Sequence, residues 1–420
     1  MKLSGVLFNH DKFSSRNSAL NVRLNAVSAA RLPEWEPGDT FFSSVACYSA
    51  ADVDLDDLRV FARFRAPEHA NKTVLVLADT PDSFNLPAFL EDQLNALVFL
   101  NYPLYLAVRQ YLQIVATFAN ETNSNVLGAL APTAVTFDGN GNSDWMAFKP
   151  TGAKLKTLGI GRHVLTWHWA SQTPGGTLRP FQVTQHKIYT VLKTPERPWV
   201  QQPFTANNTQ LPWIEALEVA TQWAAGATDI GDACQRITHA VYDLGGEFFQ
   251  YGCPIGAVTV YSEFNLSPLF NLTMFLQRLG GGRGLGQYVN CSDCATFVST
   301  FANLVGAALW QSQMRDFERA FPVNPILAIG DTLVLPPCGV GLFNYHEVAW
   351  SGEATEDDLV YDACLEVNSN TALGPVELLL PTGLRFGSVN DGQYRDCLAA
   401  PFGRDLCKAQ PTLRVRRAVF

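Results

Sequence analysis

The stretch 289–301, VNCSDCATFVSTF, sets two cysteines three residues apart, behind a glycine-rich loop and at the head of a run with helical spacing. Asn290 stands where a helix N-cap belongs, and Ala295, Val298, Phe301, Val305 and Ala308 recur as one apolar stripe. The spacing predicts an amphipathic helix that opens at Cys291. The first turn of a helix offers unpaired backbone N–H groups and the positive end of its dipole, which favour a thiolate. Cys291 is therefore a candidate nucleophile. Its rival uses are a metal knuckle, a redox pair, half of a disulfide, or a small buried core residue.

A thiolate needs a partner that holds the proton. Downstream of the midpoint the chain offers only His239, on a helical face, and His346, in the strand-like run GLFNYHEVAW (341–350). A polar connector, SGEATED, joins that run to DLVYDACLEV (358–367) and suits a hairpin. Symmetric pairing about Ala354 sets His346 directly opposite Asp362, within reach of an Nδ1–carboxylate hydrogen bond. A one-residue slip would turn Asp362 to the other face. Nucleophile, imidazole and orienting acid is the arrangement of covalent acyl transfer.

Three segments carry a resemblance. CSDCA (291–295) fits the Cys-x-Asp-x-Ala signature that opens the core helix of transglutaminase-like proteins. YHEVAW (345–350) resembles their histidine-bearing strand, and LVYDAC (359–364) resembles the strand that follows it. The likeness spans roughly residues 210–370 and leaves the first 195 unexplained. It implies a papain-like, cysteine-protease-type core with Cys291 as nucleophile, His346 as base and acid, and Asp362 as orienter. It further implies amide hydrolysis, deamidation or isopeptide formation on a protein or peptide through a thioester, as in a peptidase, deamidase or transglutaminase, with no cofactor and no metal. The backbone N–H of Cys291 would supply one oxyanion donor and Gln287 or Tyr261 a second. In departure from the family pattern, Glu347 and Val348 follow His346 directly and Trp350 comes later.

Two rivals stand beside this reading. A zinc site from Cys291, Cys294, Cys338 and Cys364 has the right ligand number but a single CxxC. A catalytically inactive copy of the fold, serving as a structural or protein-binding module, would leave function to the N-terminal half. The loop LGGGRGLGQ (279–287) lacks both the GK[ST] ending of a P-loop and the G-x-G-x-x-G spacing.

The remaining sequence sets the frame. Strand-like runs before residue 195 (NVRLNAVS, LRVFARFR, TVLVLADT, LQIVATFA, RHVLTWHWAS and QHKIYTVLKT) alternate with turn signals and predict an antiparallel, sandwich-like β domain over 1–195. Helical spacing before 195 is confined to about 86–98. Residues 196–212, rich in Pro, Asn and Thr, are expected as a linker. Residues 213–420 follow as an α+β domain with helices near 213–224 and 229–244, then the Cys291 helix, then strands that include DTLVLPP (331–337). A net charge of −9 argues against nucleic acid, and the basic tail TLRVRRAVF reads as a solvated last strand. Pro103, Arg109 and Gln110 break the most apolar window, 97–118, so it reads as core rather than a membrane span. No signal peptide is visible at the start, so cytoplasmic is the default expectation, with non-classical export left open. Nine cysteines, an odd number, argue against a complete disulfide framework, and the six N-glycosylation sequons are read as chance.

Overall fold

The computed structural model describes all residues except 10–17, 29–33, 40–44, 81–125, 173–175, 264–267, 282–284, 335, 340, 369–376 and 388–392. The expected strand LQIVATFA, the helical spacing at 86–98 and the apolar window 97–118 lie outside the described residues. Among those described, no helix is long and apolar enough to cross a membrane. Helices are mixed with many antiparallel strands, an α+β composition.

Contacts divide the chain into two units, Met1–Val22 with Arg31–Thr190, and Arg23–Ala30 with Val191–Phe420. The first carries the strands β1 (Lys2–Leu7), β2 (Glu34–Trp35), β3 (Val45–Ser49), β4 (Val60–Arg65), β5 (Thr73–Asp79), β6 (Leu130–Thr136), β7 (Met146–Phe148), β8 (Gly161–Gln172) and β9 (Arg179–Val191). They form two sheets, in the orders β2-β1-β4-β7 and β3-β9-β8-β5-β6. Period-two burial explains why. In β4, Val60, Ala62 and Phe64 are buried while Arg65 is exposed, and in β5 Val74, Val76 and Ala78 are buried. The inward residues of both sheets meet in one core around Trp167 and Trp169. The indole N–H of Trp167 donates to the Gly128 carbonyl at 3.0 Å, and that of Trp169 to Thr184 Oγ1 at 3.0 Å, so both rings are buried with their donors satisfied. Trp167 and Trp169 are therefore core, while His168 between them is exposed. NVRLNAVS forms no strand; it makes bridges at Val22 and Arg23 only, and Arg23 onward belongs to the second unit.

The second unit opens earlier than the expected linker would allow. Residues 196–212 lie within it: Trp199 is buried and donates to the Thr300 carbonyl at 2.9 Å, and Asn303 Nδ2 donates to the Arg197 carbonyl at 2.7 Å. Two expected helices follow as α1 (Ile214–Trp223) and α2 (Ile230–Tyr242), the latter capped by Asp229. Next come α3 (Leu272–Leu279), which no sequence signal marked, and α4 (Cys291–Leu304). Helices α1 and α2 pack on α4, with Trp223 against Phe301 at 4.9 Å, and Phe275 of α3 against Phe297 at 4.3 Å. Against α4 lies an antiparallel sheet of β10 (Trp310–Met314), β11 (His346–Trp350), β12 (Leu359–Tyr361) and β13 (Leu384–Arg385), in that order. A short helix, α5 (Tyr394–Leu398), follows. None of the described residues of DTLVLPP lies in a strand. Cys253 and Cys338 form a disulfide across 85 residues, so the odd cysteine count conceals one covalent pair.

Candidate active site

The site begins at the start of α4. The Asn290 side chain accepts the Asp293 N–H at 3.1 Å, and Asp293 reaches back to the Asn290 N–H at 3.4 Å, closing a capping box. This fixes Cys291 as the first helical residue, where its N–H and that of Ser292 have no acceptor within the helix. Asp293 does more than cap. Its carboxylate accepts the backbone N–H groups of Val260, Tyr261 and Ser262 at 2.9–3.0 Å and pins that loop beside the helix start. Burial pushes its carboxyl up to about 6 despite these donors.

The helix itself departs from the amphipathic expectation. Every residue from Cys291 to Leu304 is buried. Its polar side chains bond inward instead of facing water. Ser292 donates to Glu347 at 2.9 Å, Thr296 to the Ser292 carbonyl at 2.6 Å, and Ser299 to the Ala295 carbonyl at 2.7 Å, while Asn303 bonds the backbone of Arg197 and Leu309. An apolar stripe read from the sequence counts only the hydrocarbon face; it misses a second face buried through hydrogen bonds.

His346 is the first residue of β11 and has no solvent exposure. Its ring lies between Phe343 at 5.4 Å and Tyr394 at 6.4 Å, both within 20° of parallel, so its plane is set. Nε2 meets Asp362 Oδ2 at 2.9 Å. Nδ1 is buried and makes no hydrogen bond of normal geometry, and the Cys291 sulfur beside the ring supports its charged form. Burial opposes charge on this ring most strongly. The Asp362 carboxylate and the Cys291 sulfur together outweigh it and lift the imidazole to about 10. The expected contact thus exists through the other nitrogen: Nε2 serves the carboxylate, and Nδ1 is left without a hydrogen bond of normal geometry.

The hairpin register also differs. Trp350 pairs with Val360 and Ala349 with Tyr361, so the turn centres on Thr355 and not on Ala354. Extended, this register sets His346 opposite Cys364 and Asp362 opposite Val348. The offset is two residues, which preserves the face and leaves His346 and Asp362 as diagonal neighbours. Asp362 sits just past the end of β12 and is fully engaged. Oδ2 also accepts the Tyr394 hydroxyl at 2.8 Å, and Oδ1 accepts the Cys364 N–H at 2.7 Å. Tyr394 is the positioning residue that the sequence reading missed. It comes from the last fifty residues, beyond the likeness, and no motif marks it.

The other expected participants separate. Tyr261 lies in the aromatic core with Phe249, Phe275 and Phe297 and donates its hydroxyl to the Gly286 carbonyl, which commits that proton elsewhere. Gln287, part-exposed just before the Cys291 helix, makes no side-chain hydrogen bond among the described residues. Cys294 and Cys364 face each other and burial raises both thiols, which marks them as inert packing. Cys338 spends its sulfur on Cys253, so the four-cysteine zinc set is not assembled.

A buried ion pair braces the helix start. Arg417 donates to Glu347 at 2.6 Å and to Thr296 at 2.9 Å, and Glu347 in turn accepts from Ser292. Arg417 is 1% exposed, so this part of the basic tail is interior rather than solvated.

No family model matches the sequence, and no curated protein matches it. Among solved structures, the crystal structure of red sea bream transglutaminase is similar over 80% of this chain, at 10% identity and a TM-score of 0.34. The chain spans about half the length of that structure, 49%.

Proposed function

We propose that the second unit carries out thiol-dependent acyl transfer through Cys291, His346 and Asp362. The observation that supports this most is the His346 ring, held between two aromatic rings and raised to about 10 by the Asp362 carboxylate and the Cys291 sulfur. Such an imidazole keeps its proton at neutral pH, and the ring stands ready as an acid beside the Cys291 sulfur. In this reading the thiolate attacks a carboxamide or peptide carbonyl of a protein or peptide. The Cys291 N–H steadies the oxyanion and His346 passes its Nδ1 proton to the departing amine. The acyl-thioester then goes to water or to an amine, with His346 now acting as base.

The test is ammonia release and amine incorporation on a glutamine-bearing protein such as casein. Wild type should support at least one of the two, and Cys291→Ala neither; equal rates for both proteins would overturn the reading. One observation favours an alternative, a fold kept as a binding module without catalysis: Cys291 is only 5% exposed. That alternative predicts that Cys291 reacts with alkylating agents no faster than the other buried thiols.

A further inference from the structure

A cavity of about 390 Å³ lies beside β10, lined by Gln313, Arg315, Phe317, Glu347, Leu413 and Arg417 among others. Its charges are unequal in availability. Arg417 and Glu347 neutralise each other, and both Glu347 oxygens are engaged, by Arg417 and Ser292. Arg315 has no carboxylate partner among the described residues. It makes one long contact to Gln313 Oε1 at 3.4 Å, and its Nε is buried without an acceptor. Its guanidinium is nevertheless held in place, 4.8 Å over the Phe317 ring and 6.0 Å from that of Tyr345. A planar donor fork, steadied on aromatic rings and lacking an anion, matches a carboxylate. Phe317, which is 63% exposed, and Leu413 supply an apolar wall for the carbon stem of such a group.

One lining residue of the cavity connects it to the start of α4. Glu347 in its lining accepts a hydrogen bond from Ser292, the residue after Cys291, and the Tyr345 hydroxyl lies 3.5 Å from Ser292 Oγ. We propose that this cavity takes the side-chain carboxylate of a glutamate or aspartate flanking the reacting residue of the substrate. The proposal rests on the acyl-transfer reading and gives it a substrate class, acidic peptides.

Two measurements separate the two claims. The first compares turnover of glutamine peptides that carry Glu, Gln or Lys at each of the flanking positions. Glu at one position should raise kcat/KM about tenfold, as a charge-assisted hydrogen bond allows. Arg315→Gln should abolish that preference, so that the Glu and Gln peptides turn over at equal rates. The second needs no catalysis: fluorescent versions of the same peptides are titrated onto Cys291→Ala protein, with free glutarate as competitor. Glu-dependent binding that Arg315→Gln removes, with no turnover of any peptide by the wild type, would sustain the cavity while sinking the acyl-transfer reading. Equal binding of the Glu and Gln peptides overturns the proposal whatever the activity. Glutarate binding as tightly as the Glu peptide overturns it as well, since the site would then serve a free dicarboxylate.

Discussion

Replacing Asp362 by Asn keeps the size of the side chain and removes its charge. In the wild type His346 stands at about 10 against an ordinary 6.5. Burial is the largest influence on the ring and acts downward, so loss of the opposing carboxylate leaves only the Cys291 sulfur against it and lowers the imidazole from about 10. Geometry adds to the loss. Asp362 accepts from His346 and Tyr394 on one oxygen and from the Cys364 N–H on the other. An amide has one acceptor, so one orientation sets its NH2 against the Cys364 N–H, and the other gives up the carbonyl that accepts from His346 and Tyr394. The assay is the rate of iodoacetamide alkylation at Cys291, resolved by peptide mass spectrometry, with circular dichroism to verify folding. At about pH 6 the variant should react at least tenfold more slowly than wild type, and the gap should narrow near pH 9.5, where an ordinary thiol ionises unaided. A folded variant alkylated at the wild-type rate at about pH 6 would refute the coupling argued here.

Other consequences follow from the same contacts. Because the folded pKa of His346 lies above its unfolded value, its contribution to stability is fully present below about pH 6.5 and is lost as pH rises through about 10. Urea midpoints should fall across that window in wild type, and that part of the fall should be absent in His346→Gln. Removing one partner of the buried Arg417–Glu347 pair should cost about 3–5 kcal/mol by chemical unfolding, and replacing both with Met should recover most of it; equal losses in single and double variants would contradict the pairing. Opening the Cys253–Cys338 bridge, with its separation of 85 residues, should cost about 4–5 kcal/mol on a loop-entropy account. Cys338→Ser should lower the urea midpoint accordingly, and an unchanged midpoint would mean that the bridge contributes nothing.

How far the sequence could reach is clearest at individual residues. Asn290 and the spacing after it located α4 because a cap and an apolar period are local signals. His346 and Asp362 were placed on a shared face because a hairpin error of two residues is invisible to period-two reasoning. The choice of nitrogen on His346 was not legible, since it depends on the ring's rotation between Phe343 and Tyr394. Tyr394 and Arg417 lie far along the chain from Asp362 and Glu347, and only tertiary packing brings those pairs together. Tyr261 illustrates the converse. Its position near the helix start was sound, but its hydroxyl turned to Gly286. The fully buried face of α4 went unseen because Ser, Thr and Asn look solvated until their partners are known. In the first unit, the alternation of β4 and β5 was legible, whereas NVRLNAVS contributes only bridges at Val22 and Arg23.

The most direct test of the central claim uses an activated ester, which any competent catalytic thiolate should attack. Protein mixed with p-nitrophenyl acetate at about pH 6 and quenched in acid can be digested and mapped for acetyl adducts. The thiolate–imidazolium account predicts a single thioester, on Cys291, that disappears in His346→Gln. Acetylation confined to lysines, or a Cys291 adduct that persists undiminished without His346, would contradict it.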